Sequence, residues 1–121
     1  MIAKKLYYTD CHLAGRKYYD ADEVWEKLKV GTLLHLEWDS SNTHDDNAVA
    51  VFYIDPDVTG DDGRYMLGYL PCSHNEVVAA LLKMGWTQVM ECRISKLDAD
   101  AHPEAQVRLT LRIKRNGARE K

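Results

Sequence analysis

The sequence predicts a mainly β (α+β) domain, with about six strands and two short helices in a small, partly closed β-barrel. Three observations carry this. Six stretches alternate in polarity or run continuously apolar at strand length, whereas only two place apolar residues at helical spacing between a capping residue and a glycine. The chain has 121 residues, 45% hydrophobic and 29% charged, which is one domain of ordinary globular composition, long enough to bury a core without staples. A barrel with helices plugging its ends is the natural packing for such elements, because it leaves few strand edges exposed.

Residues 5–13 alternate loosely around Tyr7 and Tyr8 and read as the first strand, which Gly15 breaks. Arg16-Lys17-Tyr18-Tyr19 then sets two cations beside two aromatics. The pattern fits an amphipathic strand end with solvated cations, and it also fits a stacking platform flanked by phosphate-binding groups; the sequence does not separate the two. Asp20 opens a short helix. Asp20 and Glu23 have capping-box spacing, Lys27 and Lys29 occupy the last turn, and Gly31 stops it. Val24, Trp25 and Leu28 form its apolar stripe, which makes Trp25 a core residue. Residues 32–39 are the next strand, with His35 on the face opposite Leu34 and Leu36 and so toward solvent.

Residues 40–47, Ser-Ser-Asn-Thr-His-Asp-Asp-Asn, are eight consecutive polar side chains, and residues 48–54 are apolar throughout, as in a strand buried on both faces. A connection that only reversed the chain would be shorter, and polar loops held on rigid strands are where binding groups lie. Residues 55–64 carry four aspartates. A calcium loop of EF-hand type counted from Asp55 would need a glutamate where Met66 stands, and flanking helices as well, so a solvated hairpin tip is expected. Residues 65–70 are a short strand ending at Pro71. Ser73 and Glu76 have capping-box spacing for a second helix with Val77, Val78, Leu81 and Leu82 as its buried stripe and Gly85 as its end; its N-terminus, residues 72–75, is a ready anion site if it faces the 40–47 loop. Residues 87–97 and 106–113 are two more strands, joined by polar residues 98–104. In the last, Val107, Leu109, Leu111 and Ile113 point inward and Arg108, Thr110, Arg112 and Lys114 outward, giving a basic face expected to be solvated. The organisation is thus a single domain over residues 1–115 and a basic C-terminal tail, 116–121.

The formal net charge is −3 and the isoelectric point about 5.9. Proteins that grip duplex DNA through many phosphates are usually basic, so a nucleic-acid role here has to be local, with few phosphates and a shallow salt dependence. Cys11, Cys72 and Cys92 are widely spaced with no C-x-x-C pair, which argues for a reducing compartment and against a disulfide framework or zinc site. With no signal-peptide pattern and no apolar run of spanning length, a cytoplasmic protein with no membrane role is expected. His44 beside Asp45 hints at a general base and its orienting acid, yet adjacent side chains seldom point at each other, and no nucleophile or ligand cluster accompanies them. His44, Asp45 and Asp46 as ligands of a metal-dependent phosphoesterase are one alternative reading. Asn42, Asp45 and Asn47 can tie the loop down as Asx-turns, with Asn47 expected to be structural alone.

Asn42-Thr43-His44-Asp45-Asp46-Asn47-Ala48-Val49 resembles the Asn-Pro-(Tyr/His)-Asp-x-Asn-Ala-(Ile/Val) signature of the HIRAN domain. Ala14 to Tyr19 upstream, and Leu67-Gly68-Tyr69-Leu70-Pro71 with the helix after it downstream, match further blocks in order, so the resemblance spans residues 6–115. Domains of this family occur fused to Snf-type repair ATPases and as free-standing bacterial proteins; the chain resembles the latter. The resemblance implies an OB/SH3-like barrel and a non-catalytic module that binds the 3′ end of single-stranded DNA, in DNA repair and replication-fork processing. Carried over by position, Tyr18 and His44 stack on the terminal bases, Lys17 contacts a phosphate and Asp45 accepts the 3′-hydroxyl. Tyr69 lines the pocket, and Asn42, within the signature, is counted with the DNA-binding residues. Cys72 stands where DNA-binding members can carry a lysine. No cofactor, metal or catalytic residue is implied. The expected partners are single-stranded DNA ends and a DNA-processing ATPase or other protein; an accessory protein-interaction role through the same groove is the further alternative.

Overall fold

In the computed structural model, which describes residues 5–115, every stretch read as a strand is one. They are β1 (Lys5–His12), β2 (Leu33–Trp38), β3 (Val49–Ile54), β4 (Arg64–Tyr69), β5 (Met90–Leu97) and β6 (Val107–Lys114), all antiparallel and ordered β1-β6-β5-β2-β3-β4. Two helices accompany them: α1 (Ala21–Val24), continued by a 3-10 turn at Trp25–Lys27, and α2 (Glu76–Lys83). No described helix is long and apolar enough to cross a membrane. The tail, 116–121, lies outside the described residues.

The strand β2 is the pivot. Its first two residues, Leu33 and Leu34, pair with Arg93 and Cys92 of β5, while His35 to Trp38 pair with Phe52 to Val49 of β3. One strand shared between two partners lets both halves of the sheet wrap a common core. Leu13, Ile94, Leu109 and Leu111 from one half cluster there with Leu36, Val49, Val51 and Leu67 from the other, and Leu28, Val78 and Leu82 close it. Burial of Val49, Ala50 and Val51 in succession confirms that β3 is covered on both faces.

The sheet does not close into the expected barrel. Its edges are β1 and β4, and among the described residues they meet only where Ala14 and Tyr69 exchange backbone hydrogen bonds at 2.9 Å. Pairing stops there because Gly15 (φ 72°) turns the chain into a 3-10 turn at Arg16–Tyr18. The crossing itself depends on Gly68: a Cβ there would drive into the Ala14 carbonyl oxygen and the Leu13 side chain.

The helix caps also differ from expectation. Asp20 stands at the N-cap of α1 without a side-chain cap bond. At α2 the N-cap is Asn75, and the Ser73 hydroxyl bonds instead to Nδ1 of His74 at 2.7 Å. The buried stripe of α2 is rotated accordingly, to Val78, Ala79 and Leu82, leaving Val77 exposed. Gly85 does end α2: its N–H reaches the Leu82 carbonyl and that of Trp86 the Leu81 carbonyl, a Schellman pair. The 55–64 tip is not wholly solvated, since Asp55 is buried and accepts Lys27 Nζ at 2.6 Å and the Asp57 N–H at 2.9 Å. The Lys27 ammonium holds its carboxyl below the usual carboxylate range. The 98–104 connection contributes a 3-10 turn, Pro103–Ala105, whose Glu104 carboxylate accepts the Gly15 N–H at 2.9 Å.

Candidate nucleic-acid interface

The polar loop between β2 and β3 is held by its own short side chains. Its neck closes with the Asp39 N–H on the Ala48 carbonyl at 2.8 Å. Asn42 Oδ1 accepts the N–H groups of His44 and Asp45 at 2.8 and 2.9 Å, and Asp45 Oδ1 accepts that of Asn47 at 2.9 Å. Asp39 Oδ1 accepts both the N–H and the hydroxyl of Ser41. Side chains this short satisfy backbone donors within the turn itself, so the loop keeps one shape without a regular ladder. The expected Asx-turns are present at Asn42 and Asp45. Asn47 makes none; its Oδ1 accepts from Lys83 Nζ at 2.9 Å and ties the loop to α2.

Four more contacts dock the loop on its surroundings. Asn75, buried at the start of α2, donates its amide to Asp45 Oδ2 at 2.9 Å, so this helix end does face the loop. The Tyr69 hydroxyl donates to Asp39 Oδ2 at 2.6 Å, and the Trp38 indole N–H to the Asp46 carbonyl at 2.9 Å. Lys83 Nζ lies 5.2 Å above the Trp38 ring. Beyond Tyr69, the Tyr19 ring meets it edge-on at 5.7 Å and 67°. Segments around residues 19, 45 and 69 are thereby joined in one surface. The Tyr69 hydroxyl, and then Ser41, hold the Asp39 carboxyl below the usual range. Burial, and then Asp39, push the Tyr69 phenol up to about 12. At neutral pH the pair is therefore a phenol donating to a carboxylate.

Of the residues anticipated from sequence, Asn42, Asp45 and Tyr69 lie in this connected cluster. His44 is exposed on the loop, Asp45 half-buried beside it. Tyr18 is 72% exposed, the largest fraction for any tyrosine, tryptophan or phenylalanine among the described residues, and Lys17 Nζ stands 5.2 Å from its ring. Tyr18 connects to the cluster through its neighbour Tyr19. The two cations of that motif part company, because Arg16 is buried: it donates to Asp22 Oδ1 at 2.7 Å and stacks 4.5 Å from the Trp25 ring. Cys72 is exposed and free. Tyr19 belongs to the anticipated motif of two cations and two aromatics, and Asn75 to the anticipated helix end at 72–75; Asp39 and Lys83 were not anticipated. A strand-terminal aspartate was a readable signal for the first; Lys83 is brought in only by the packing of α2.

Among the described residues no three His, Cys, Asp or Glu side chains gather in metal-holding geometry. A cavity of about 390 Å³ opens at the other end of β2 and β3, lined by Lys27, His35, Tyr53 and Pro56 among others. The loop surface is separate from it and open to solvent, as a strand of nucleic acid requires and a buried small ligand does not.

The family model of the HIRAN domain matches residues 6–114. In three dimensions the chain is similar to the crystal structure of a protein from Lactobacillus plantarum solved as a structural-genomics target. The two are 24% identical with a TM-score of 0.69, covering 92% of this chain and 97% of that one. It is also similar to the crystal structure of the HIRAN domain of human HLTF, at 16% identity and a TM-score of 0.55, covering 93% of this chain and 83% of that one. No curated protein matches the chain.

Proposed function

The chain belongs to the HIRAN domain family, and from that premise we propose that it is a non-catalytic module recognising the 3′-hydroxyl end of single-stranded DNA. HIRAN domains bind DNA in general; the end specificity and the residue roles are the proposal. The observation that carries it is a loop held by its own Asx-turns while two rings are left exposed: His44 upon it, and Tyr18 next to Tyr19, whose ring meets Tyr69. Preorganised aromatic faces of this kind accept successive bases without regard to identity. Lys17, beside Tyr18, neutralises a phosphate.

Asp45 accepts the terminal hydroxyl. Among the described residues its two oxygens each receive one hydrogen bond, from the Asn47 N–H and the Asn75 amide, which leaves each a further lone pair. Those two donors also orient the carboxylate. Asn42 holds His44 and Asp45 in place through their backbone, and Tyr69 joins the loop to the Tyr18–Tyr19 turn. The module acts with a DNA-processing ATPase in repair or fork processing, in a reducing, cytoplasmic setting that its three free thiols suit.

Tyr18→Ala and His44→Ala test the stacking roles by fluorescence anisotropy with a labelled single strand. Each loses about 1–3 kcal/mol, or roughly 5- to 150-fold in Kd, with melting temperature unchanged. Wild-type affinity in both folded variants would overturn the assignment.

A further inference from the structure

The outer face of β1, β6 and β5 carries charge that the loop does not use. Register sets it in rows: Lys5 beside Lys114; Tyr7, Arg112 and Glu91; Asp10, Thr110 and Arg93; His12, Arg108 and Lys96. Six cations thus share one face with two carboxylates, on a chain of net charge −3. Glu91 is 6% exposed, beneath Lys5 Nζ at 2.6 Å, Arg93 Nε at 3.4 Å and an Arg112 guanidinium nitrogen at 3.8 Å. Arg93 is further fixed by donating to the Gly31 carbonyl at 2.7 Å. Burial pushes the Glu91 carboxyl up, but the Lys5 hydrogen bond and the Arg93 charge outweigh it and hold it below the usual range. One buried anion therefore orders three long cationic side chains in advance, lowering the entropy they would lose on gripping phosphate. Arg108 and Lys96, at the other end of the face, are exposed with no side-chain partner among the described residues.

We propose that this face binds the phosphate backbone of duplex DNA, beside the single-stranded end held at Tyr18 and His44. From Arg108 to Lys114 it runs roughly 20 Å, the axial rise of about six base pairs of duplex. Its rings among the described residues, Tyr7 and His12, stand in separate rows, so it offers cations without a paired stacking platform, which suits a regular backbone and not splayed bases. The loop, in contrast, presents Asp39, Asp45 and Asp46, and a strand entering there needs its phosphates neutralised elsewhere. The two surfaces adjoin along the chain: His12 at the Arg108 row is followed two residues later by Ala14, which bonds to Tyr69. The placement beside an end rests on the proposed function; binding of the duplex does not.

The test compares R108Q/K96Q with K29E, each of which lowers the net charge by two, by anisotropy on a labelled blunt duplex between 50 and 200 mM KCl. The double neutralisation is expected to weaken duplex binding about tenfold and to flatten the slope of log K against log salt by ~1.8, while affinity for a single strand with a 3′-hydroxyl is kept. K29E is expected to bind duplex within about twofold of wild type. Absent duplex binding by the wild type, equal losses in both variants, or tighter binding to phosphatidylserine vesicles than to duplex would overturn the proposal. Duplex loss confined to R108Q/K96Q supports the face even if no 3′-hydroxyl preference exists, so the two readings fail separately.

Discussion

Asp45 has a structural duty that can be measured apart from DNA. Its Oδ2 receives the amide of Asn75, which is 2% exposed, and its Oδ1 receives the Asn47 N–H. Asp45→Ala strands that buried amide and opens the Asx-turn. An unpaired buried donor costs about 1–3 kcal/mol; because Asp45 is half-buried and water can reach part of the gap, we expect about 2 kcal/mol. For a domain of this length that lowers Tm by roughly 6–12 °C. Asn75→Ala, which leaves a carboxylate that water can solvate, costs about 1 kcal/mol. The double variant D45A/N75A removes donor and acceptor together, so its loss falls short of the sum by about 1 kcal/mol. Urea denaturation monitored by tryptophan fluorescence supplies all four corners of the cycle. Losses that add to within about 0.3 kcal/mol would refute the coupling of Asp45 to Asn75.

Two further outcomes follow from the same surface. Gly68→Ala forces a methyl group against the Ala14 carbonyl and should cost about 2 kcal/mol while detaching the 14–19 segment from β4; a melting curve unchanged from wild type would contradict the crossing. Tyr69→Phe removes the donor that depresses Asp39, and its sign with pH is fixed. A carboxyl held below its unfolded value of ~3.9 stabilises the fold above that pH, and the benefit is lost as pH falls through the folded value. The phenol, raised to about 12 in the fold, stabilises below its unfolded value of ~10 and loses the benefit as pH rises toward 12. The gap in stability between wild type and Tyr69→Phe should therefore be widest from pH 5 to 9 and shrink on either side; a gap that is flat from pH 3 to 11 would contradict the pair.

Elements whose pattern is set by local periodicity were legible in the sequence. The apolar run of β3 and the alternation of β6 state their own burial, and the loop between β2 and β3 stands out by composition. What escaped is whatever depends on partners distant along the chain. Ser73 reads as the cap of α2 from sequence, whereas Asn75 stands there with its amide on Asp45, thirty residues away, and packing turns Val77 outward. Arg16 looks like a solvated cation until Trp25 and Asp22 are brought under it. Sheet closure was misjudged because six strands favour a barrel generically, whereas Gly15 ends the pairing of this one after a single bridge. The basic face of β6 was visible as alternation, but not Glu91 beneath it, since the register of β5 on β6 creates that contact.

The most direct test of end recognition is the affinity ratio of one labelled single strand ending in a 3′-hydroxyl or a 3′-phosphate, at 150 mM salt. Asp45 would gain a hydrogen bond from the first and repel the second, so the account predicts at least ~10-fold tighter binding to the hydroxyl, about 1.4 kcal/mol, with the preference abolished in Asp45→Asn. Equal affinities for the two ends would contradict it.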